Sequence, residues 1–175
     1  MEIETRLVRK DIGNVGQGSF IDTEYVMHIV YDGTFLFQNQ QDTYYVEPQD
    51  VIIIPPNILH ALRDVQHVHM LVIHFYDHSQ TIEGLDLYQI ISLGSNMFDP
   101  IRRLSAQLHE IWSEDLDSKQ YIADGLVQTI VGYYISFAGF STKKSRNEDQ
   151  FYNWKSVKLA VQYMRARCDD LPFYL

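Results

Sequence analysis

The stretch DVIIIPPNILHAL, residues 50–62, decides how the rest of the chain is read. Val51–Ile54 is a short, β-branched apolar run. Glu47-Pro48-Gln49-Asp50 precedes it and Pro55-Pro56-Asn57 follows it, so turn chemistry closes both ends and a strand is expected between them. His60 then sits among apolar neighbours, Leu59 and Ala61. An imidazole in such a place either packs and bonds to backbone, meets a guest molecule, or ligates a metal.

Outward from that stretch the same grammar repeats. TEYVMHIVY (23–31) is rich in β-branched and aromatic residues; Asp32-Gly33 then reads as a hairpin turn into TFLF (34–37). Asn39 to Asp42 is a polar turn, TYYV (43–46) another strand, and VHMLVIHF (68–75) the last of the set. Strands at intervals of about eight to twelve residues predict an antiparallel sandwich or small barrel.

After Asp77 the period changes. In IRRLSAQLHEIW (101–112), Ile101, Leu104, Leu108, Ile111 and Trp112 make one apolar stripe, and Pro100 is expected in the helix's first turn. The segment 118–140 has apolar residues over about half the helical wheel, which predicts two neighbours. Gly125, Gly132 and Gly139 recur every seven residues and form a nearly straight seam. Each glycine costs about 1 kcal/mol against alanine inside a helix, so close approach of another element is expected there. Residues 141–153 read as a linker, and WKSVKLAVQYMRAR (154–167) as a third amphipathic helix with Trp154, Val157, Ala160, Val161 and Met164 on one face.

With 175 residues, 46% of them hydrophobic, the chain is expected to hold one domain with an appended helical unit. Its single cysteine, Cys168, and its charged amino terminus predict a reducing, cytoplasmic setting. No run approaches the roughly 18 apolar residues of a membrane-spanning helix. The net charge of −9 is uneven: residues 1–140 carry 7 Lys+Arg against 19 Asp+Glu, whereas 141–167 carry 7 against 2. A sign change near residue 141 marks parts with different partners.

Residues two apart in a strand share a face, so Val26, His28 and Val30 lie together, as do Met70, Val72 and His74. If the strands close into a barrel, His28, His60 and His74 converge inside. Three imidazoles could hold a metal, bond to backbone, or meet a small ligand; no His-x-His pair lies in a strand interior to favour the metal. Tyr31, Phe35, Phe37, Tyr44 and Tyr45 are core residues by default, or a stacking surface if a cavity is present. Motifs for nucleophilic, phosphate-binding or redox-cysteine chemistry are absent from the sequence.

The succession EYVMHIVYDGTFLF, TYYVEPQDVIIIPPNILHAL and LVIHF, over about residues 5–78, resembles the amino-terminal cupin-like sensor domain of AraC/XylS-family transcription regulators. Two positions depart from the family's pattern: Gln49 stands at a turn glycine, and Asn57 at the glycine after the diproline. The resemblance implies a mainly β fold with α, a cupin-like jelly-roll barrel over 1–95, then a helical dimerisation unit over 96–140. Residues 154–175 would be the first helix of a truncated helix-turn-helix DNA-binding domain. It further implies a small-molecule effector, such as a sugar, bound among His28, Val30, Tyr44, His60, Met70, Val72 and His74. A homodimer would form through Leu126, Val127, Ile130, Val131 and Tyr134, and DNA would be met only through the missing carboxy-terminal domain. No metal, cofactor, membrane partner or catalytic residue is implied. The rival reading is a metal-dependent cupin enzyme, a dioxygenase or isomerase, using the histidine cluster.

Overall fold

Two long antiparallel strands organise the protein: β3 (Tyr25–Asn39) and β6 (His60–Asp77) pair along nearly their whole lengths, from Tyr25↔Phe75 to Asn39↔His60. The chain is described here from a computed structural model, over residues 1–14, 17–39, 42–82 and 90–138. Around this central pair, β1 (Ile3–Gly13) and β2 (Gly18–Phe20) both join β6, while β4 (Thr43–Val46) and β5 (Asp50–Ile54) both join β3; β7 (Ile91–Ser92) adds to β5. One half of the sheet therefore runs β1-β6-β3-β5-β7, and the other end of the same two strands carries β2 and β4. All pairings are antiparallel.

The expected Asp32-Gly33 hairpin is not a hairpin. Residues 25–39 form one strand, and three register shifts between Val30 and Leu36 bend it against β6. A bulge adds twist and turns a strand without ending it. Gly33, with φ +78°, makes the bend possible: a Cβ there would lie 2.6 Å from Gln66 O, His67 O and Val68 Cα. β6 bends at the same level, where Asp64 and His67 have φ of 51° and 48°. The result is a jelly-roll-like antiparallel sheet, bent over itself but open along the described strand order and not a closed barrel.

Strict alternation assigns the two faces. Met27 and Ile29 of β3, Val51 and Ile53 of β5, and Leu71, Ile73 and Phe75 of β6 belong to one core, which packs against the helices. Their neighbours Val26, Val30, Ile52, Ile54, Met70 and Val72 belong to a second core inside the roll, with Phe35, Phe37, Tyr44 and Val46. Burial on both faces explains why these strands read as continuous apolar runs. Of the five aromatics expected in the core, Phe35, Phe37 and Tyr44 line the roll, Tyr31 lies on the helix side, and Tyr45 is exposed.

The turns keep the left-handed geometry despite the missing glycines. Gln49 has φ 73° and Asn57 φ 60°. The turn at Gln49 is held by Asp50, whose carboxylate accepts from Glu47 N (2.8 Å) and Ser92 Oγ (2.6 Å), and by Gln49 N donating to Val30 O (2.8 Å).

Helix α1 (Ser95–Ser113) begins earlier than the sequence suggests, so Pro100 lies inside it and not in its first turn. Helix α2 (Lys119–Ala138) packs on α1 and on β1. At β1 a register shift between Thr5 and Leu7 interrupts the ladder; Thr5 N donates to Asp124 Oδ1 (2.7 Å), and Gln120 Nε2 donates to Thr5 O (2.9 Å). Two helix side chains thus take up the backbone groups of one strand residue. Farther along α2, the buried Tyr134 hydroxyl bonds the backbone of Ile53. Sheet and helices share one core and lie within one compact unit, Met1–Lys144, which spans the expected boundary at 95/96. The expected linker (141–153) and third helix (154–175) lie outside the described residues. No helix among the described residues is long and apolar enough to cross a membrane.

Candidate functional site

The inner face of the roll carries polar atoms that the apolar core does not need. His28, on β3, is only 3% exposed, and its Nδ1 is buried with no hydrogen-bond partner among the described residues. Its ladder partner on β6 is Val72, so His74, two residues further along, lies diagonally beside it on the same face. His74 Nε2 is likewise buried and unpartnered, while its Nδ1 lies 3.8 Å from Glu24 Oε2. His60 is 3% exposed, with Nδ1 3.1 Å from Ile58 O and Nε2 3.7 Å from Asp22 Oδ2. Its ring lies between Phe20 and Phe37, at centroid distances of 5.8 and 5.9 Å.

Burial disfavours the charged forms of His28 and His74. Burial pushes His28 down to about 3, aided by His60, Arg9 and His74 around it. Burial also lowers His74, with the nearby Asp22 and Glu24 opposing the effect and Arg9 adding to it. A neutral imidazole offers one N–H and one lone pair, so two of them side by side present both a donor and an acceptor to a neutral polar guest. Leaving such nitrogens buried and unpaired is unfavourable by about 1–3 kcal/mol each, and a stable core would be better served by apolar residues of the same shape.

Every residue expected at the ligand site falls on or beside this inner surface. Val30, Tyr44, Met70 and Val72 are members of the roll's inner core, and His28 shares their face of β3 and β6. His60 reaches it through its stack on Phe37. The sequence did not point to Asp22 and Glu24, which reach His60 and His74 from the segment just before β3, or to Arg9, whose ladder partner is Val72. Their contacts come from chain segments some 40–60 positions apart, so no spacing rule could have found them. As for a metal, no group of three His, Cys, Asp or Glu among the described residues is arranged to hold one, and one nitrogen of His60 already faces a backbone carbonyl. These residues do not fit the metal centre of the enzyme reading.

The residues expected at a dimer contact are placed differently. Val127, Ile130 and Val131 are fully buried and Tyr134 is 2% exposed, all within the protomer's own core against the sheet and α1; Leu126 is half-buried. Of the five, only Leu126 keeps any surface to offer another copy. The opposite face of α2 carries exposed Tyr121, Ile122 and Tyr133, with Tyr133 stacked on Phe137 at 5.8 Å. Among the described residues nothing lies within 4 Å of a Cβ built at Gly125 or Gly132, so the close neighbour expected at the glycine seam is not one of the described elements; Gly139 lies outside the described residues.

Comparison with known proteins agrees with this architecture. Among solved structures, the AraC-like transcriptional activator CuxR superposes with a TM-score of 0.52 at 9% identity, covering 73% of this chain and 46% of CuxR. ToxT from Vibrio cholerae is similar at a TM-score of 0.43 and 10% identity, over 85% of this chain and 61% of that one. A cupin superfamily protein from Desulfitobacterium hafniense DCB-2 has a TM-score of 0.36 and 14% identity, over 43% of this chain and 69% of that one. The likeness to CuxR is one of fold. No curated protein matches the sequence. The profile of the AraC-like ligand binding domain matches residues 20–121, a span that contains β3 to β6, the three inner histidines and α1, and the chain therefore belongs to the AraC-like ligand-binding domain family.

Proposed function

We propose that this chain is the effector-sensing and dimerisation region of an AraC-type transcription regulator, and that it binds a small neutral metabolite, a sugar being the first candidate, inside the roll. The observation that carries the proposal is the pair of nitrogens, His28 Nδ1 and His74 Nε2, buried without partners among the described residues beside the roll's apolar core. Hydroxyl groups both donate and accept, which is what two neutral imidazoles require, and Tyr44 and Phe37 add ring faces suited to a sugar's apolar side. His60 would complete the site from between its two flanking rings. Family membership supports a sensor over an enzyme.

In this reading the effector acts by binding one conformation better than another, which shifts the DNA-binding units carried beyond the sensor. Residues 154–175 would supply the first helix of those units, and DNA would be contacted only through them. A second copy of the chain would pack on the exposed face of α2 along Ile122, Gly125 and Tyr133, where the glycines permit close backbone approach. The test is a thermal-shift panel of sugars and related neutral metabolites. A saturating effector at a hundred times its Kd stabilises by about 2.7 kcal/mol, and this shift should vanish in His28→Leu. A panel hit that stabilises His28→Leu equally would refute the placement.

A further inference from the structure

On the other side of the sheet, a cleft of about 310 Å³ opens between α1 and strands β1, β3 and β6. Lys10, Tyr31, His69 and Leu71 line it from the sheet. From the helix come Arg102, Ser105, Ala106, His109 and Glu110, whose spacing of three and four places them on one face. None of these residues belongs to the roll's inner core.

Three features of the cleft point to the same kind of ligand. His69 Nε2 is buried without a hydrogen-bond partner among the described residues, a condition native proteins rarely carry without use. Positive charge stands on both walls: Lys10 has no ion pair among the described residues, and Arg102 gives Nε and Nη2 to Asp99 while Nη1 has no such partner. Glu110 is the one carboxylate among the cleft's lining residues, against the two cations Lys10 and Arg102. Apart from the His109 imidazole, the remaining lining is apolar or already satisfied. Tyr31 Oη donates to Ser105 Oγ (2.7 Å), which donates in turn to Arg102 O (3.0 Å); the Tyr31 ring meets the His69 ring edge-on at 5.0 Å, and Leu71 and Ala106 also line the cleft. That surface has few free hydroxyl partners for a sugar but suits a flat apolar body.

We infer that this cleft is a second ligand site, separate from the roll, that takes a small aromatic carboxylate. Lys10, Arg102 and the Nε2–H of His69 donate to the carboxylate, and the ring lies against Tyr31, Leu71 and Ala106. The volume sits at the lower end of ligand pockets, which matches a single ring with its carboxylate.

Benzoate titrated into the full chain, followed by side-chain histidine nitrogen resonances, tests the assignment, with the neutral isostere benzamide as control. Saturable perturbation of His69 by benzoate is expected. Lys10→Gln and Arg102→Gln should each raise the Kd about fivefold, as loss of one partly exposed charge contact does, and benzamide should bind at least that much more weakly. Unchanged affinity in both variants, equal binding of benzamide, or an unperturbed His69 would overturn the inference. His28→Leu separates this site from the one in the roll: it should leave benzoate binding intact while removing the response to a roll-bound metabolite.

Discussion

Replacing His28 by leucine should uncouple stability from acid. In the folded chain His28 titrates at about 3, against 6.5 as an ordinary imidazole, because burial disfavours its charged form and His60, Arg9 and His74 oppose a further positive charge. The folded state thus holds fewer protons than the unfolded one between about pH 3 and 6.5, so stability falls as pH drops through that window. One proton corresponds to about 1.4 kcal/mol per pH unit, and the whole window to roughly 3–5 kcal/mol. That is a large part of the 5–15 kcal/mol typical of a domain. Urea unfolding of the native chain and of His28→Leu at half-unit steps from pH 7 to 4 measures the difference. His74, with its pKa also lowered by burial, contributes the same sign in both proteins and cancels. Below pH 6 the native chain should lose about 1 kcal/mol per unit more than the variant. At pH 7 the variant should be as stable or more so, since an unpaired buried nitrogen has been exchanged for an apolar side chain. Parallel pH profiles would show that His28 is not held neutral by burial, and the reasoning about the inner face would fail with it.

Other substitutions probe the frame around that site. Gly33→Ala places a Cβ against the backbone of residues 66–68 at a left-handed φ; it should cost about 3 kcal/mol or more, read as a fall in melting temperature of roughly 6–12 °C. Gln49→Gly relieves a non-glycine residue at φ 73° and should stabilise by about 0.5–1 kcal/mol in urea unfolding. Tyr133→Asp, on the exposed face of α2, should leave the fold intact and convert a dimer to a monomer by light scattering; an unchanged mass would remove that face from the proposed contact. Val127→Asp would not serve, because it buries a charge in the protomer's own core.

The alternation of the strands was readable in the sequence because the side-chain period of a strand is a local property. Val26, His28 and Val30 fall on one face and Met27 and Ile29 on the other, as their spacing requires. Asp32-Gly33 misled for the opposite reason. The pair is a strong local turn signal, but the need for glycine comes from residues 66–68, more than thirty positions away, which press against a bend in a continuous strand. The breadth of the apolar surface on α2 correctly indicated two neighbours' worth of surface, yet periodicity could not say which side faces the sheet. The hydrogen bonds of Asp124 and Gln120 to Thr5 settle that. From sequence Pro100 reads as a first-turn residue, because the Gly94-to-Asp99 segment before it lacks a side-chain cap to mark the true start. At the candidate site the histidines were legible one by one, whereas Asp22, Glu24 and Arg9 join them only through the register of β1, β3 and β6. The cleft beneath α1 draws on four elements and had no linear signature.

The most direct measurement is a crystal structure of the chain grown with the strongest hit from the metabolite panel. The account predicts density for that metabolite inside the roll, with a hydroxyl within hydrogen-bond distance of His28 Nδ1 or His74 Nε2. Density elsewhere, with both nitrogens still buried and unpaired, would contradict it.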